Sequence, residues 1–205
     1  MSPPIQRLDP VLLLRAYSAG LFPMADSRDA PDVFWVEPKR RGVLPLAAFH
    51  APRSLLKTLR QERFEHRTDT DFMGVMRACA EETPTRGDSW INRTILDVYG
   101  KLHALGHAQS VECWRDGELA GGLYGVSIGG AFFGESMFTR VRDASKCALA
   151  HLVVRLRVGG YQLLDTQFLT DHLARFGAVE IGRASYRAQL GSALSVAGAF
   201  SALDA

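Results

Sequence analysis

Cysteine is scarce in this chain. The three present, Cys79, Cys113 and Cys147, form no CxxC pair and no metal-ligand spacing. An odd, scattered set of thiols excludes a disulfide framework and reads as three buried, reduced side chains of a cytosolic protein. Charge of one sign is lacking too. Lys and Arg number 24 against 22 Asp and Glu, a net charge of +2. No overall field draws the chain to nucleic acid, so such a partner has to be argued from local clusters. Long apolar runs are missing: Leu12-Leu13-Leu14 lies between Asp9 and Arg15, too short for a signal peptide or for the roughly 20 residues of a membrane span. A soluble, cytoplasmic, monomeric protein is expected.

What is present is ordinary globular composition, 47% hydrophobic and 22% charged over 205 residues, enough for one large domain or one with a small companion. The expected division is a small α+β unit over residues 1–50 and a larger domain over 51–205. In the first, Asp9-Pro10 starts a helix that stops near Gly20. Leu21 to Met24 reads as an apolar turn and Phe34-Trp35-Val36 as a short strand. Glu37 to Gly42 reads as a turn carrying Lys39, Arg40 and Arg41. About 50 residues is small for an independent core, so this unit should pack on the rest.

In the second part, Pro52 opens a helix with Arg53, Lys57 and Arg60 on one face. Phe64 to Thr68 is a candidate strand, and Asp71 to Cys79 an amphipathic helix. A loop with Pro84 and Gly87 leads to Ser89, a possible cap for a helix carrying Ile91, Ile95, Val98, Tyr99 and Leu102. Then come strands: Ser110 to Trp114, the Asp116-Gly117 hairpin, Leu119 to Tyr124, and Val126 to Phe133 with a turn or bulge at Gly129-Gly130. Asp143 is a candidate cap for a helix over 144–158, followed by a strand over 161–164. A helix joining two such strands suggests a βαβ crossover. A short helix over 172–176 and a strand over 179–181 follow.

Two stretches organise this pattern, Gly134-Glu135-Ser136-Met137-Phe138 and Leu164-Asp165-Thr166-Gln167. Each follows an apolar strand-like run and carries a carboxylate, which is costly to bury unless a cation or hydrogen-bond donor meets it. Ligands in open α/β sheets bind at the carboxyl ends of strands. Glu135, Asp165 and Gln167 are therefore expected on one rim, as the active site.

A meander, a central helix and a crossover strand make an α+β sheet that resembles the GNAT acyltransferase superfamily. That superfamily binds the pyrophosphate of acetyl-coenzyme A with a glycine-rich loop at a helix N-terminus. The corresponding segment here, Phe138 to Asp143, has no glycine, so an acyl donor other than coenzyme A is expected.

Further motifs sharpen the resemblance. Tyr17 to Met24, Trp35 with Arg41-Gly42-Val43-Leu44-Pro45, Ser89-Trp90-Ile91 and Gly121 to Val126 are among them. So are Gly134 to Phe138, Ala144-Ser145-Lys146 and Asp165-Thr166-Gln167 with His172-Leu173. Together they resemble bacterial leucyl/phenylalanyl-tRNA–protein transferases. The resemblance implies a small N-terminal domain packed on a GNAT-like catalytic domain, with no metal and no coenzyme. It implies transfer of Leu or Phe, less readily Met, from aminoacyl-tRNA to proteins with N-terminal Arg or Lys, marking them for N-end rule degradation. Leu123, Gln109 and Thr166 stand where the family more often shows methionine, histidine and cysteine.

On this reading Asp165 orients and deprotonates the acceptor amine, and Gln167 fixes the geometry around the reacting carbonyl. Glu135 either holds a cationic group of the acceptor or pins a loop. Trp35 and Trp90 stack the terminal adenosine of the tRNA; without the resemblance both read as core. Tyr99, Leu123 and Met137 line an apolar pocket for the acyl side chain. Lys39, Arg40, Arg41, Arg53, Lys57 and Arg60 are candidate phosphate contacts, sequence-independent and salt-sensitive, against a plain solvated stripe as the alternative. His103 and His107 read as structural. Two other functions compete: a coenzyme A-dependent N-acetyltransferase and a non-catalytic RNA-binding module.

Overall fold

The computed structural model describes residues 8–83 and 87–204; Pro84, expected in a loop, lies outside them. Asp9 caps α1 (Pro10–Ser18), its side chain accepting from the Leu12 amide at 2.9 Å. The stretch expected as an apolar turn is instead a strand, β1 (Phe22–Met24), which pairs antiparallel with β2 (Phe34–Val36). The three consecutive cations do not form a turn either. Arg40 to Val43 is β3, placed between two other strands in the large sheet.

The chain continues through α2 (Arg53–Arg60), β4 (Glu65–Thr68), α3 (Phe72–Ala80) and α4 (Arg93–Ala104). The cap of α4 is Asn92, accepting from the Ile95 amide, while the Ser89 hydroxyl accepts from Ile91 one turn earlier. The meander is β5 (Ala108–Arg115), β6 (Glu118–Ile128) and β7 (Ala131–Thr139). Gly129-Gly130 is the turn between β6 and β7, with Ile128 opposite Ala131. Glu135 therefore sits inside β7 rather than just past a strand's end. After it come α5 (Ala144–Val158), β8 (Leu163–Gln167), α6 (Asp171–Ala174), β9 (Val179–Gly182) and α7 (Arg183–Leu194). Asp143 makes no capping bond to α5. Its φ is 70° and its carboxylate pairs with Lys146 at 2.6 Å.

Seven strands form one mixed sheet in the order β4-β5-β6-β7-β8-β3-β9. Among the described residues only β7 and β8 are parallel neighbours, joined by α5, as a βαβ crossover requires. β3 lies in this sheet between β8 and β9. Two buried clusters cover the sheet. One gathers α1, α3, α4 and α7, the other α2 and α5. Among the described residues no helix is long and apolar enough to cross a membrane.

Candidate active site

The parallel pairing of β7 with β8 lasts three positions and ends at Phe133 opposite Asp165. Beyond it β7 stays with β6 and β8 stays with β3, and a cleft of about 380 Å³ opens between them. Each flanking strand bulges there. Tyr124 faces Ser136 while the next residue, Gly125, faces Gly134, leaving Glu135 as the extra residue of β7. Val43 faces Asp165 and Gly42 faces Gln167, leaving Thr166 as the extra residue of β8. A bulge re-aims side chains that strict alternation would turn away. Both facing positions need glycine: a Cβ on Gly125 would sit 2.3 Å from the Phe133 carbonyl oxygen, and one on Gly42 2.5 Å from the Phe168 carbonyl carbon.

Leu123, Met137, Leu149, Leu152, Leu164 and Leu173 give the cleft an apolar wall, and Trp90 borders it. At its polar end lies the Glu135 carboxylate, 8% exposed. It accepts from the Tyr17 hydroxyl at 2.6 Å, from Gln167 Nε2 at 2.8 Å and from the Tyr99 hydroxyl at 3.1 Å. The two tyrosine hydroxyls also touch each other. Burial pushes Glu135 up to about 7, against the opposing pull of the two tyrosines. Both tyrosines are pushed well above a phenol's ordinary value, first by burial and then by the Glu135 charge, so they remain donors.

Asp165 is 0% exposed and does not line the cleft. Arg41 holds it through Nε at 3.0 Å and Nη2 at 2.7 Å, Tyr186 donates its hydroxyl at 2.6 Å, and the Gln167 amide donates at 2.8 Å. Arg41 is itself 1% exposed. It lies between the rings of Phe22 and Tyr186, 4.6 Å from each centroid, and gives its remaining arm to the Gly20 carbonyl at 3.0 Å. Desolvation pulls its basicity down, but the Asp165 bonds outweigh it and hold it above the ordinary value. Gln167, with φ of 60°, connects the two groups. Its backbone amide serves Asp165, and its side chain serves Glu135.

Several expected roles change. Arg41 is sealed in an ion pair and cannot reach a phosphate at the surface. Asp165 is fully buried in its pair with Arg41 and does not line the cleft, so it cannot take a proton from an amine bound there. Tyr99 stands behind Glu135 as its donor and is not part of the apolar wall. Glu135 pins no loop by accepting backbone amides; its partners are side chains. Leu123, Met137, Gln167 and Glu135 do meet at the cleft. Trp35, half-buried on β2, is not among the lining residues. Arg53, Lys57 and Arg60 are exposed on α2, and so is Lys39; Arg40 pairs with Glu180 at 2.8 Å.

Sequence reasoning missed Tyr17, Tyr186 and the part played by Arg41. For Tyr186 a signal existed: Tyr186, Leu190 and Ala193 are the buried face of α7 and recur at helical spacing. Tyr17 on α1 and Tyr99 on α4 meet only in the fold, 82 residues apart.

The family model described as Leucyl/phenylalanyl-tRNA protein transferase matches residues 43–191, and that of the family's N-terminal domain matches residues 6–39. The Leucyl/phenylalanyl-tRNA--protein transferase of Paramagnetospirillum magneticum is 60% identical over 90% of this chain and 88% of its own length. That of Rhodopseudomonas palustris strain HaA2 is 57% identical over 96% of this chain and 88% of its own. A solved structure of a functionally unknown conserved protein from Staphylococcus epidermidis is 14% identical over 88% of this chain and 67% of that one, with a TM-score of 0.46. With a family match across most of its length and relatives this similar, the chain belongs to the leucyl/phenylalanyl-tRNA–protein transferase family of enzymes.

Proposed function

We propose that this enzyme transfers an aminoacyl group from aminoacyl-tRNA to the N-terminal amine of an acceptor protein, with Glu135 as the proton acceptor. The observation that carries this reading is a buried carboxylate held only by neutral donors at the polar end of an apolar cleft. The ester is already activated, and an α-amine with a pKa near ~8 is roughly a tenth unprotonated at neutral pH. Placement therefore contributes more than proton removal. Gln167 and Glu135 hold the amine beside the ester carbonyl, and Glu135, poised near 7, takes its proton. Asp165 acts through Gln167 by fixing its backbone.

The apolar wall takes the side chain of leucine or phenylalanine, and methionine less well. Such a wall separates side chains by only ~1–3 kcal/mol per methylene. Trp90 stacks the terminal adenine, with Trp35 one strand further out. Arg53, Lys57, Arg60 and Lys39 contact phosphates. Acceptors begin with Arg or Lys, whose cationic side chain suits an acidic cleft end, and the tagged product enters N-end rule degradation. The enzyme works as a cytoplasmic monomer. The β5–β6–β7 meander with α5 crossing to β8 supports a GNAT-like description of the catalytic part.

The test is incubation of the protein with Leu-tRNA and an Arg-initiated peptide. Leucine should appear on the peptide's α-amine and not on the N-acetylated peptide. Acetyl transfer from acetyl-coenzyme A, or tRNA binding without transfer, would reject the proposal in favour of one of the two competing functions.

A further inference from the structure

Two segments border the cleft and then run on into a second hollow. Met24 ends β1 on the cleft, and Arg28 and Asp29, in the loop after it, line a groove of about 350 Å³. Trp90 lies on the cleft as well, and Ile91 and Arg93, just after it, line the same groove. The two segments are tied together there. The Arg28 amide donates to the Asp88 carboxylate at 3.2 Å, and Asn92 Nδ2 donates to the Ala30 carbonyl at 2.8 Å. The end of α3, with Arg77, Ala80 and Glu81, and Leu96 of α4 supply the rest of the wall.

The groove gathers guanidinium groups from three separate elements. Arg28, Arg77 and Arg93 are all exposed. Arg28 gives one arm to the Ala80 carbonyl, while among the described residues the side chains of Arg77 and Arg93 make no ion pair and no hydrogen bond. Of the two acids in the wall, Glu81 is paired with Arg140 at 2.7 Å. Asp88, close by, is occupied by the Arg28 and Ser89 amides. That leaves Asp29 against three cations. A concavity lined mainly by one sign of charge focuses its field and concentrates an ion of the other sign. Ile91, buried, and Leu96, half-buried, add apolar surface beside the charges. Fixed cations next to an apolar face suit a nucleotide, which offers a phosphate and the flat side of a base.

We infer that this groove binds the nucleotide that precedes the terminal adenosine of the donor, with its phosphodiester on Arg77 and Arg93 and its base against Ile91 and Leu96. This rests on the aminoacyl-tRNA reading of the cleft. A strand whose last base lies on Trp90 has to leave the cleft, and the groove begins at the residue after Trp90. Guanidinium groups hold a phosphate through charge-assisted hydrogen bonds. Such contacts carry no base sequence, so they accept the end that all tRNAs share. The stripe Arg53, Lys57 and Arg60 belongs to α2, which packs with the other buried cluster, across the sheet from α3 and α4. It meets a different part of the tRNA.

The experiment compares two short donors, 3′-O-leucyl-adenosine and the leucyl ester of cytidylyl-adenosine, which adds one phosphodiester and one base. Both are tested with an Arg-initiated peptide, beside Leu-tRNA. In the wild type kcat/KM for the dinucleotide ester should exceed that for the adenosine ester by about tenfold or more, the scale of a hydrogen bond to a charged group. In the double variant Arg77→Gln, Arg93→Gln that advantage should fall to about twofold or less, mostly through KM. An advantage retained in the variant overturns the inference, because the nucleotide then binds elsewhere. So does an equal loss with both donors, which marks damage to the cleft, and so does wild-type transfer from Leu-tRNA but not from the dinucleotide ester. No wild-type transfer from any of the three donors overturns the aminoacyl-tRNA reading and this inference with it. If the double variant does not fold, Asp29→Asn, which removes the opposing charge, should raise the dinucleotide's advantage; an advantage unchanged or lowered overturns the inference.

Discussion

Asp165 and Glu135 are two buried carboxylates on neighbouring parallel strands, joined by one glutamine, and they have opposite partners. Asp165 is matched by a buried guanidinium, with a tyrosine and an amide filling its other sites. Glu135 has two phenols and a carboxamide and, among the described residues, no cation in contact. A carboxylate locked to a guanidinium is held in place; one with neutral donors in a dry place keeps its proton near neutral pH. The first arrangement suits a fixed part and the second suits proton transfer. Sequence position alone favours Asp165, because acid residues after strands look alike until their partners are known.

The sharpest way to break this comparison is Asp165→Ala. It leaves Arg41 charged and uncompensated in the interior, and loss of one partner of a buried pair costs about 3–5 kcal/mol. Chemical denaturation should show that loss, and an unchanged midpoint would mean the pair contributes little. Next is Glu135→Gln, which keeps shape and removes the charge. Transfer should fall by about 10² or more with the fold intact by circular dichroism.

The same variant tests pH dependence. With Glu135 raised to about 7 against an unfolded value near ~4.3, the native state holds a proton that the unfolded chain has lost. Stability should fall as pH rises through that window, and the wild-type transfer rate should rise through about 7. Glu135→Gln should abolish that fall in stability.

A smaller effect is expected from Tyr17→Phe. One hydrogen bond is lost, about 1 kcal/mol. Because that bond lowers Glu135, its loss should move the rate midpoint to higher pH; a shift to lower pH would reverse the assignment. The smallest concerns the stacked pair His66 and His151, ring centroids 5.0 Å apart. Burial lowers both, His151 to about 4. The unfolded chain takes up protons first, so stability is complete above the ordinary value near ~6.5 and is lost as pH falls below it. His151→Phe should flatten that acid limb in pH-dependent melts while the Glu135 window, of opposite sign, persists.

How much of this was legible in the sequence depended on range. The Asp9-Pro10 start of α1, the Asp116-Gly117 hairpin and the β7–α5–β8 crossover are local signals, and the fold follows them. Asp143 reads as a cap because acids precede helices, but Lys146 one turn on takes its carboxylate. Arg41 looked like one member of a solvated triplet because its strand is too short to show alternation; only pairing with β8 and β9 buries it. Glu135 and Gln167 are expected on one rim from the two strand-like runs that carry them, and Leu123 and Met137 join them through motif resemblance. The tyrosine donors are not, since a phenol that hydrogen-bonds across 118 residues, as Tyr17 does to Glu135, leaves no periodic trace.

The Arg41 guanidinium has a consequence for the order in which the enzyme is made. It touches Gly20, Phe22, Asp165 and Tyr186, so its setting draws on residues 20–22 and on β8 and α7. While α7 is still in the ribosome, Asp165 lacks one donor and the backbone of Gln167 lacks its settled anchor. A nascent chain stopped short of Tyr186 should carry every residue of the cleft and yet transfer nothing. Transfer should therefore begin only once α7 has closed over the Arg41–Asp165 pair.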